Sequence, residues 1–245
     1  MERPVPIMST PFASRFRRRV AMVLLPVFGL ALLTAAAPVK PGWSATIGES
    51  GIGAYSVGNP QAKVKLVEYF SYTCSHCAEF AKEASAPLKA QYVDKGSVLF
   101  EYRNLIRDPV DMTAAMLARC GGTKAFAANH EAIFAAQPAW LGKAAKLSKE
   151  QQAPWYKGSL GDRTTRIAAD VGLDTLMRGR GYSAAQINTC LSSGVAEAEL
   201  MAMTNIGLGA DKVMGTPTFF INGRRAEVGH WADLKTLLDA AIKGS

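Results

Sequence analysis

Tyr69-Phe70-Ser71-Tyr72-Thr73-Cys74-Ser75-His76-Cys77 ends an apolar run on two cysteines three positions apart. Upstream, Val64 to Phe70 is rich in β-branched and aromatic residues and is bounded by Gly58-Asn59-Pro60, which predicts a strand. Downstream, Cys77, Phe80, Ala81, Ala84 and Leu88 recur at helical spacing. They predict a helix from about Cys74 to Gln91 with one buried stripe and a kink at Pro87. The Cys-x-x-Cys pair therefore falls on the first turn of a helix that a strand feeds directly.

First-turn N–H groups lack intrahelical partners and the macrodipole is positive there, so an anion is stabilised. Cys74 should be the more exposed, lower-pKa thiol; cysteines in this setting fall to roughly 3.5–7.5. His76 can donate to the Cys74 sulfur, or pair with it as imidazolium. Either interaction favours the reduced, ionised form and makes the disulfide a stronger oxidant. On the strand, alternation puts Val64, Leu66, Glu68 and Phe70 on one face. Burial there would raise the pKa of Glu68, which could then exchange a proton with the resolving thiol of Cys77 through a water. The competing reading is a strand-edge acid paired with Lys63 or Lys65.

Residues 1–44 carry Arg15 and Arg17 to Arg19, an uncharged stretch from Val20 to Ala37, and then Pro38. That layout fits a signal peptide or a retained N-terminal anchor, so the functional part is expected to be exported. Disulfides persist outside the cytosol. The four cysteines, Cys74, Cys77, Cys120 and Cys190, allow three connectivities. Proximity favours Cys74 with Cys77, which leaves Cys120 with Cys190, each expected in the middle of a separate helical stretch, as a structural bridge.

The formal charge of the 245 residues is +8. Without Arg3, Arg15, Arg17, Arg18, Arg19 and Glu2, the 28 basic and 20 acidic residues become 23 and 19, an excess of four. With no basic stripe interleaved with aromatics, this is not a nucleic-acid footprint.

Ala45 to Asn59 is rich in small residues and predicts an extended lead-in. A second strand is expected at Val98 to Asn104. From Val110 to about Met203 the period is helical, with breaks at Gly121-Gly122, Pro138, Gly158, Gly172 and Gly181. The strand signal returns after Thr216-Pro217, and Asn222-Gly223 marks a hairpin with a return strand over Arg225 to Val228. Trp231 to Lys243 closes the chain as an amphipathic helix. The expected division is 45–107 for the first half of a strand-containing unit, 108–203 for an inserted all-helical domain, and 204–245 for the second half.

A lone Cys-x-x-Cys can be half of a zinc site, but structural zinc takes four ligands. His130 lies on an apolar helical face and is expected as a core histidine. Met201, Met203 and Met214 are expected in core packing, with a peptide groove as the alternative. Trp140 and Trp155 are expected as packing or surface anchors.

Taken in order, these pieces resemble the DsbA-type periplasmic thiol:disulfide oxidoreductases of the thioredoxin superfamily. The matching segments are Gly58-Asn59-Pro60, Val67 to Cys77, Gly215-Thr216-Pro217 and Phe220-Ile221-Asn222-Gly223. The resemblance implies an α/β thioredoxin fold with an inserted helical domain. It also implies Cys74 as nucleophile, Cys77 as resolving thiol, His76 as tuner and a cis Pro217 facing the disulfide. Thr216 and Ser75 are expected beside substrate. A second disulfide in the helical part occurs in some members, matching Cys120 with Cys190.

The DsbA dipeptide Pro-His is Ser75-His76 here, which frees the backbone N–H and φ that proline would fix. The implied activity is disulfide introduction into reduced exported proteins, with no cofactor beyond the Cys74–Cys77 pair. The implied reoxidising partner is a DsbB-like quinone-linked membrane oxidase. Alternatives are a reductase or isomerase of the same fold, or a metal- or peptide-binding module that does not turn over. No amino-terminal dimerisation module is recognisable in this length, which disfavours the isomerase and leaves a monomer as the expectation.

Overall fold

Burial follows the predicted alternation in β3 (Val64–Phe70), where Val64, Leu66, Glu68 and Phe70 are all buried and Lys65 is exposed. The computed structural model describes residues 42–245; the expected signal or anchor, 1–44, lies outside the described residues apart from its last three. Parallel to β3 runs β4 (Val98–Asn104), with Val64 opposite Val98. On its other side lies antiparallel β5 (Thr218–Ile221), with Tyr69 opposite Thr218.

The Asn222-Gly223 turn has φ of 50° and 77°, the left-handed pair a tight hairpin needs, and returns the chain as β6 (Arg224–Ala226). Asn222 locks this hairpin to β3: its Oδ1 accepts from the Lys65 N–H at 2.8 Å and its own N–H donates to the Lys65 carbonyl at 2.9 Å.

The lead-in differs from expectation. It forms two strands, β1 (Ile47–Glu49) and β2 (Tyr55–Gly58), the latter antiparallel to β4, giving the sheet order β1-β2-β4-β3-β5-β6. Strands of three and four residues are too short for alternation to stand out in sequence. Arg119 holds the connection between them, donating to the Gly53 carbonyl at 2.7 Å while pairing with Glu49 and Glu199.

α1 (Ser75–Leu88) follows β3 and ends earlier than predicted. Pro87 has no N–H for the helical ladder, and from Lys89 to Val93 the chain continues as a wider π-type turn. Phe80, Ala84 and Leu88 pack with Leu66 and Phe219 of the sheet. Leu234 and Leu238 of the last helix, Trp231–Lys243, join the same layer.

The helical block comprises α2 (Pro109–Ala118), α3 (Thr123–Ala135), α4 (Gln137–Lys146), α5 (Lys149–Gln152), α6 (Leu160–Val171), α7 (Leu173–Gly179), α8 (Ala184–Leu191) and α9 (Gly194–Gly209). We number the closing helix α10. The predicted glycine breaks fall between these helices, whereas Pro138 lies in the first turn of α4, just after the α3–α4 boundary.

The predicted domain limit after 203 does not mark a helix end, because α9 continues to Gly209 along the sheet. A Cβ on Gly207 would lie 2.8 Å from the Tyr69 ring, and the Thr204 hydroxyl accepts from the Ile106 N–H at 2.9 Å. Sheet and helices share one core through Phe70, Tyr72 and Cys77, and the described residues 42–245 belong to one compact unit.

His130 is the expected core histidine. It lies within an aromatic cage of Phe70, Tyr102, Phe126 and Phe134, and burial pushes its pKa down to about 3. Trp140, Trp155 and Met203 are buried, whereas Met201 and Met214 are exposed, contrary to the core assignment. Their positions on outward-facing backbone, not their hydrophobicity, decide this.

Cys120 and Cys190 are joined, with Cα atoms 5.5 Å apart. Cys120 lies in the turn after α2 and Cys190 in the last turn of α8, not mid-helix as expected. The bond closes a separation of 70 residues. Replacing both cysteines by serine is expected to lower unfolding free energy by about 4 kcal/mol in urea denaturation.

Candidate active site

The strand end and the helix start leave Cys74 at the N-cap of α1 in extended conformation, φ −90° and ψ 120°. Cys74 is 4% exposed and Cys77 is fully buried, and both are free thiols. The Thr216-Pro217 peptide bond is cis, and the Cys74 thiol donates to the Thr216 carbonyl at 3.2 Å. Residues separated by 142 positions in the chain therefore meet at one sulfur.

Two thiols three residues apart acquire opposite acidities. The Cys74 pKa is lowered to about 4, chiefly by the hydrogen bond from the Cys77 thiol, against the opposing cost of burial. Further donors are Thr216 and the backbone N–H groups of Cys77 and His76, the unpaired donors of a helix start. The Thr216 hydroxyl is buried without a partner while Cys74 is a thiol. Once the proton leaves, the sulfur becomes the acceptor that hydroxyl lacks. Burial pushes the Cys77 thiol far above its usual range, aided by its hydrogen bond to Cys74 and by the charge of Glu68.

Glu68 is 4% exposed, and its pKa is raised to about 8 by burial and then by the Cys74 charge. No ion pair to Lys63 or Lys65 occurs among the described residues, so the strand-edge alternative does not hold.

The His76 side chain is exposed and lines two surface cavities, one of them together with Cys74, and the hydrogen bond it gives the Cys74 sulfur comes from the backbone N–H. A residue just inside a helix start projects its side chain outward, while its N–H points at the cap. Ser75 is also exposed and lies along a separate groove of about 730 Å³ between α1 and the α3–α4 junction. Thr216 and Pro217 line a cavity of about 240 Å³ with His76 and His230.

The sequence did not single out the residues that fix the loop before Cys74. Buried Asp111 accepts from the Ser71 hydroxyl at 2.7 Å, the Tyr72 N–H at 2.8 Å and the Arg107 N–H at 3.0 Å. Asp108, the N-cap of α2, accepts from the Thr73 hydroxyl at 2.7 Å. Gln137 donates to the carbonyls of Tyr72 at 2.7 Å and Cys74 at 2.8 Å. Burial raises the Asp111 pKa to about 7 against those donors. Asp108-Pro109 is legible as a helix start, but the pairing with Thr73 is not local. No cluster of three or more potential metal ligands occurs among the described residues.

A sheet of this order, a helix capped by a Cys-x-x-Cys and a cis-proline facing it define a thioredoxin-fold dithiol protein. The thioredoxin family profile matches residues 51–240, and the chain belongs to that family. A Rickettsia bellii protein provisionally named a protein-disulfide oxidoreductase is 30% identical over 190 residues, covering 77% of this chain and 64% of that protein. The chain thus spans less than two thirds of that relative's length.

The crystal structure of a protein-disulfide isomerase from Novosphingobium aromaticivorans superposes with a TM-score of 0.74 at 36% identity, covering 78% of this chain and 97% of that one. Wolbachia pipientis alpha-DsbA1 superposes at 0.59 and 21% identity, covering 77% and 90%, which shows the shared DsbA-like fold with its helical insertion.

Thiolate absorbance of the reduced protein should titrate with a midpoint near 4. Thr216→Val is expected to move that midpoint upward by about one pH unit. A depressed folded pKa also stabilises the reduced fold above it. The reduced protein should therefore gain stability as pH rises from about 4 toward the ordinary thiol range, and lose it as pH falls through about 4. Urea midpoints at successive pH values, compared with those of the oxidised form, measure this difference.

Proposed function

We propose that this chain is a protein thiol:disulfide oxidoreductase that introduces disulfides into exported proteins. The observation that carries the reading is the acidity contrast at one helix start, with Cys74 lowered to about 4 and Cys77 raised, beside the cis Thr216-Pro217 bond. A sulfur so stable as an anion is a good leaving group and a poor partner in a disulfide, which favours handing the bond on.

In the first step a substrate thiolate attacks Cys74 Sγ, forming a mixed disulfide and breaking the Cys74–Cys77 bond. Cys77 leaves as a thiolate and takes a proton. Glu68, mostly protonated at neutral pH because its pKa is raised to about 8, supplies that proton and later takes it back. A second substrate thiolate then attacks the substrate sulfur, and Cys74 leaves as thiolate. Substrate loses two electrons and the cysteine pair gains them. The backbone at Thr216-Pro217 offers strand-like hydrogen bonds to the extended substrate.

The compartment is the periplasm, consistent with the charged-then-apolar start of the chain, and the reaction needs no cofactor beyond the Cys74–Cys77 pair. We assign reoxidation to a DsbB-like quinone-linked membrane oxidase and treat the protein as a monomer. A second reading, disulfide isomerase, is favoured by the name of the Novosphingobium neighbour.

Redox titration of the Cys74–Cys77 pair against glutathione separates the two. A potential near the oxidising end of the family range, roughly −120 mV, supports the oxidase, one roughly at −180 mV supports an isomerase cycle, and one near thioredoxin supports a reductase. Cys74→Ala should abolish disulfide transfer to a reduced model protein, and undiminished transfer would overturn the enzyme reading. Glu68→Gln should slow the exchange about tenfold or more, with a changed pH profile and an intact fold.

A further inference from the structure

Beside Cys74 lies a second surface cavity of about 350 Å³ whose wall includes Arg107, His76, Leu105, Met214 and Thr216. Its charge is one-sided, because no carboxylate borders it. Arg107 is exposed, and its guanidinium makes no ion pair or hydrogen bond with the described residues. Only its backbone N–H is engaged, donating to Asp111.

The nearest acids in sequence do not border it. Asp108 accepts from Thr73 and from the Asp111 N–H, and with Glu197 it borders a separate cavity that Arg107 also lines, without pairing with the Arg107 guanidinium. Met214, 88% exposed, adds an uncovered apolar surface on the same wall as the nucleophile.

We propose that this cavity is a substrate subsite for a carboxylate side chain, with Arg107 as its specificity-determining residue. The fitting partner is an extended segment of a reduced protein that carries Asp or Glu one or two residues from the attacking cysteine and an apolar residue that covers Met214. The proposal rests on the exchange reaction above and adds which cysteines are taken first. Arg107 supplies the fork that matches a carboxylate in two hydrogen bonds. Its position on the rim gives an exposed pair, so the preference is modest and depends on salt.

Two dithiol peptides with blocked termini test this, one with Glu and the other with Gln flanking each cysteine. Each is reacted in a single turnover with the oxidised full chain, and acid-quenched samples are resolved by chromatography. The intrinsic reactivity of the peptides cancels when their rate ratio is compared between protein variants.

The Glu-to-Gln ratio should be about threefold higher for wild type than for Arg107→Gln at low salt. Arg107→Lys should retain part of that advantage, Arg107→Glu should push the ratio below that of Arg107→Gln, and 1 M salt should erase the differences. Equal ratios in wild type and Arg107→Gln, with both peptides oxidised, would overturn the subsite and leave the exchange reaction standing. Oxidation of neither peptide by wild type would overturn both.

Discussion

The site depends on one contact between distant segments, the Cys74 sulfur against the carbonyl of Thr216. The sheet brings it about. Because Tyr69 stands opposite Thr218 in the β3–β5 ladder, the chain leaving β3 and the chain entering β5 emerge from the same end of the sheet. A one-residue slip in that register would turn every side chain of β5 to the opposite face. Asn222, bonded twice to Lys65, pins the register from the other end of the strands.

A second constraint keeps the loop itself from moving. Ser71, Tyr72, Thr73 and Cys74 are each held by a side chain from the helical block, through Asp111, Asp108 or Gln137. These groups are buried or nearly so, where an unpaired polar atom is costly, so the network favours a single loop geometry. The inserted helices thus do more than decorate the sheet. They supply the floor on which the helix cap rests, and Gly207 and Thr204 of α9 tie that floor to β3 and to the segment after β4.

Much of this was legible in sequence because the signals were local. Val64 to Phe70 alternates, Asn222-Gly223 favours a tight turn, and glycines separate the helices where expected. The pairing of Cys120 with Cys190 followed from elimination among four cysteines. The rest required tertiary information: β1 and β2 are too short to show a period, and α9 carries its apolar face past the expected boundary because the sheet lies beneath it. At His76 the sequence did not show that the donor to the sulfur is the backbone N–H of the first turn. Asp111 and Gln137 gave no signal at all, because the loop residues they hold, Ser71 to Cys74, lie 39 and 63 residues or more away in the chain.

The acidity contrast at the site follows from depth more than from charge. Cys74 and Cys77 share a helix start, yet Cys77 is buried at 0% exposure while Cys74 reaches the carbonyl and hydroxyl of Thr216. A second negative charge in the same apolar space is resisted, so ionised Cys74 holds up the pKa values of both Glu68 and Cys77. Near neutral pH the reduced site therefore carries a charge on Cys74 while Cys77 keeps its proton. Breaking the internal disulfide thus couples two electrons to the uptake of a proton at Cys77. Glu68, buried beside the pair with a pKa near 8, is the group whose protonation can change without exposing the site to water.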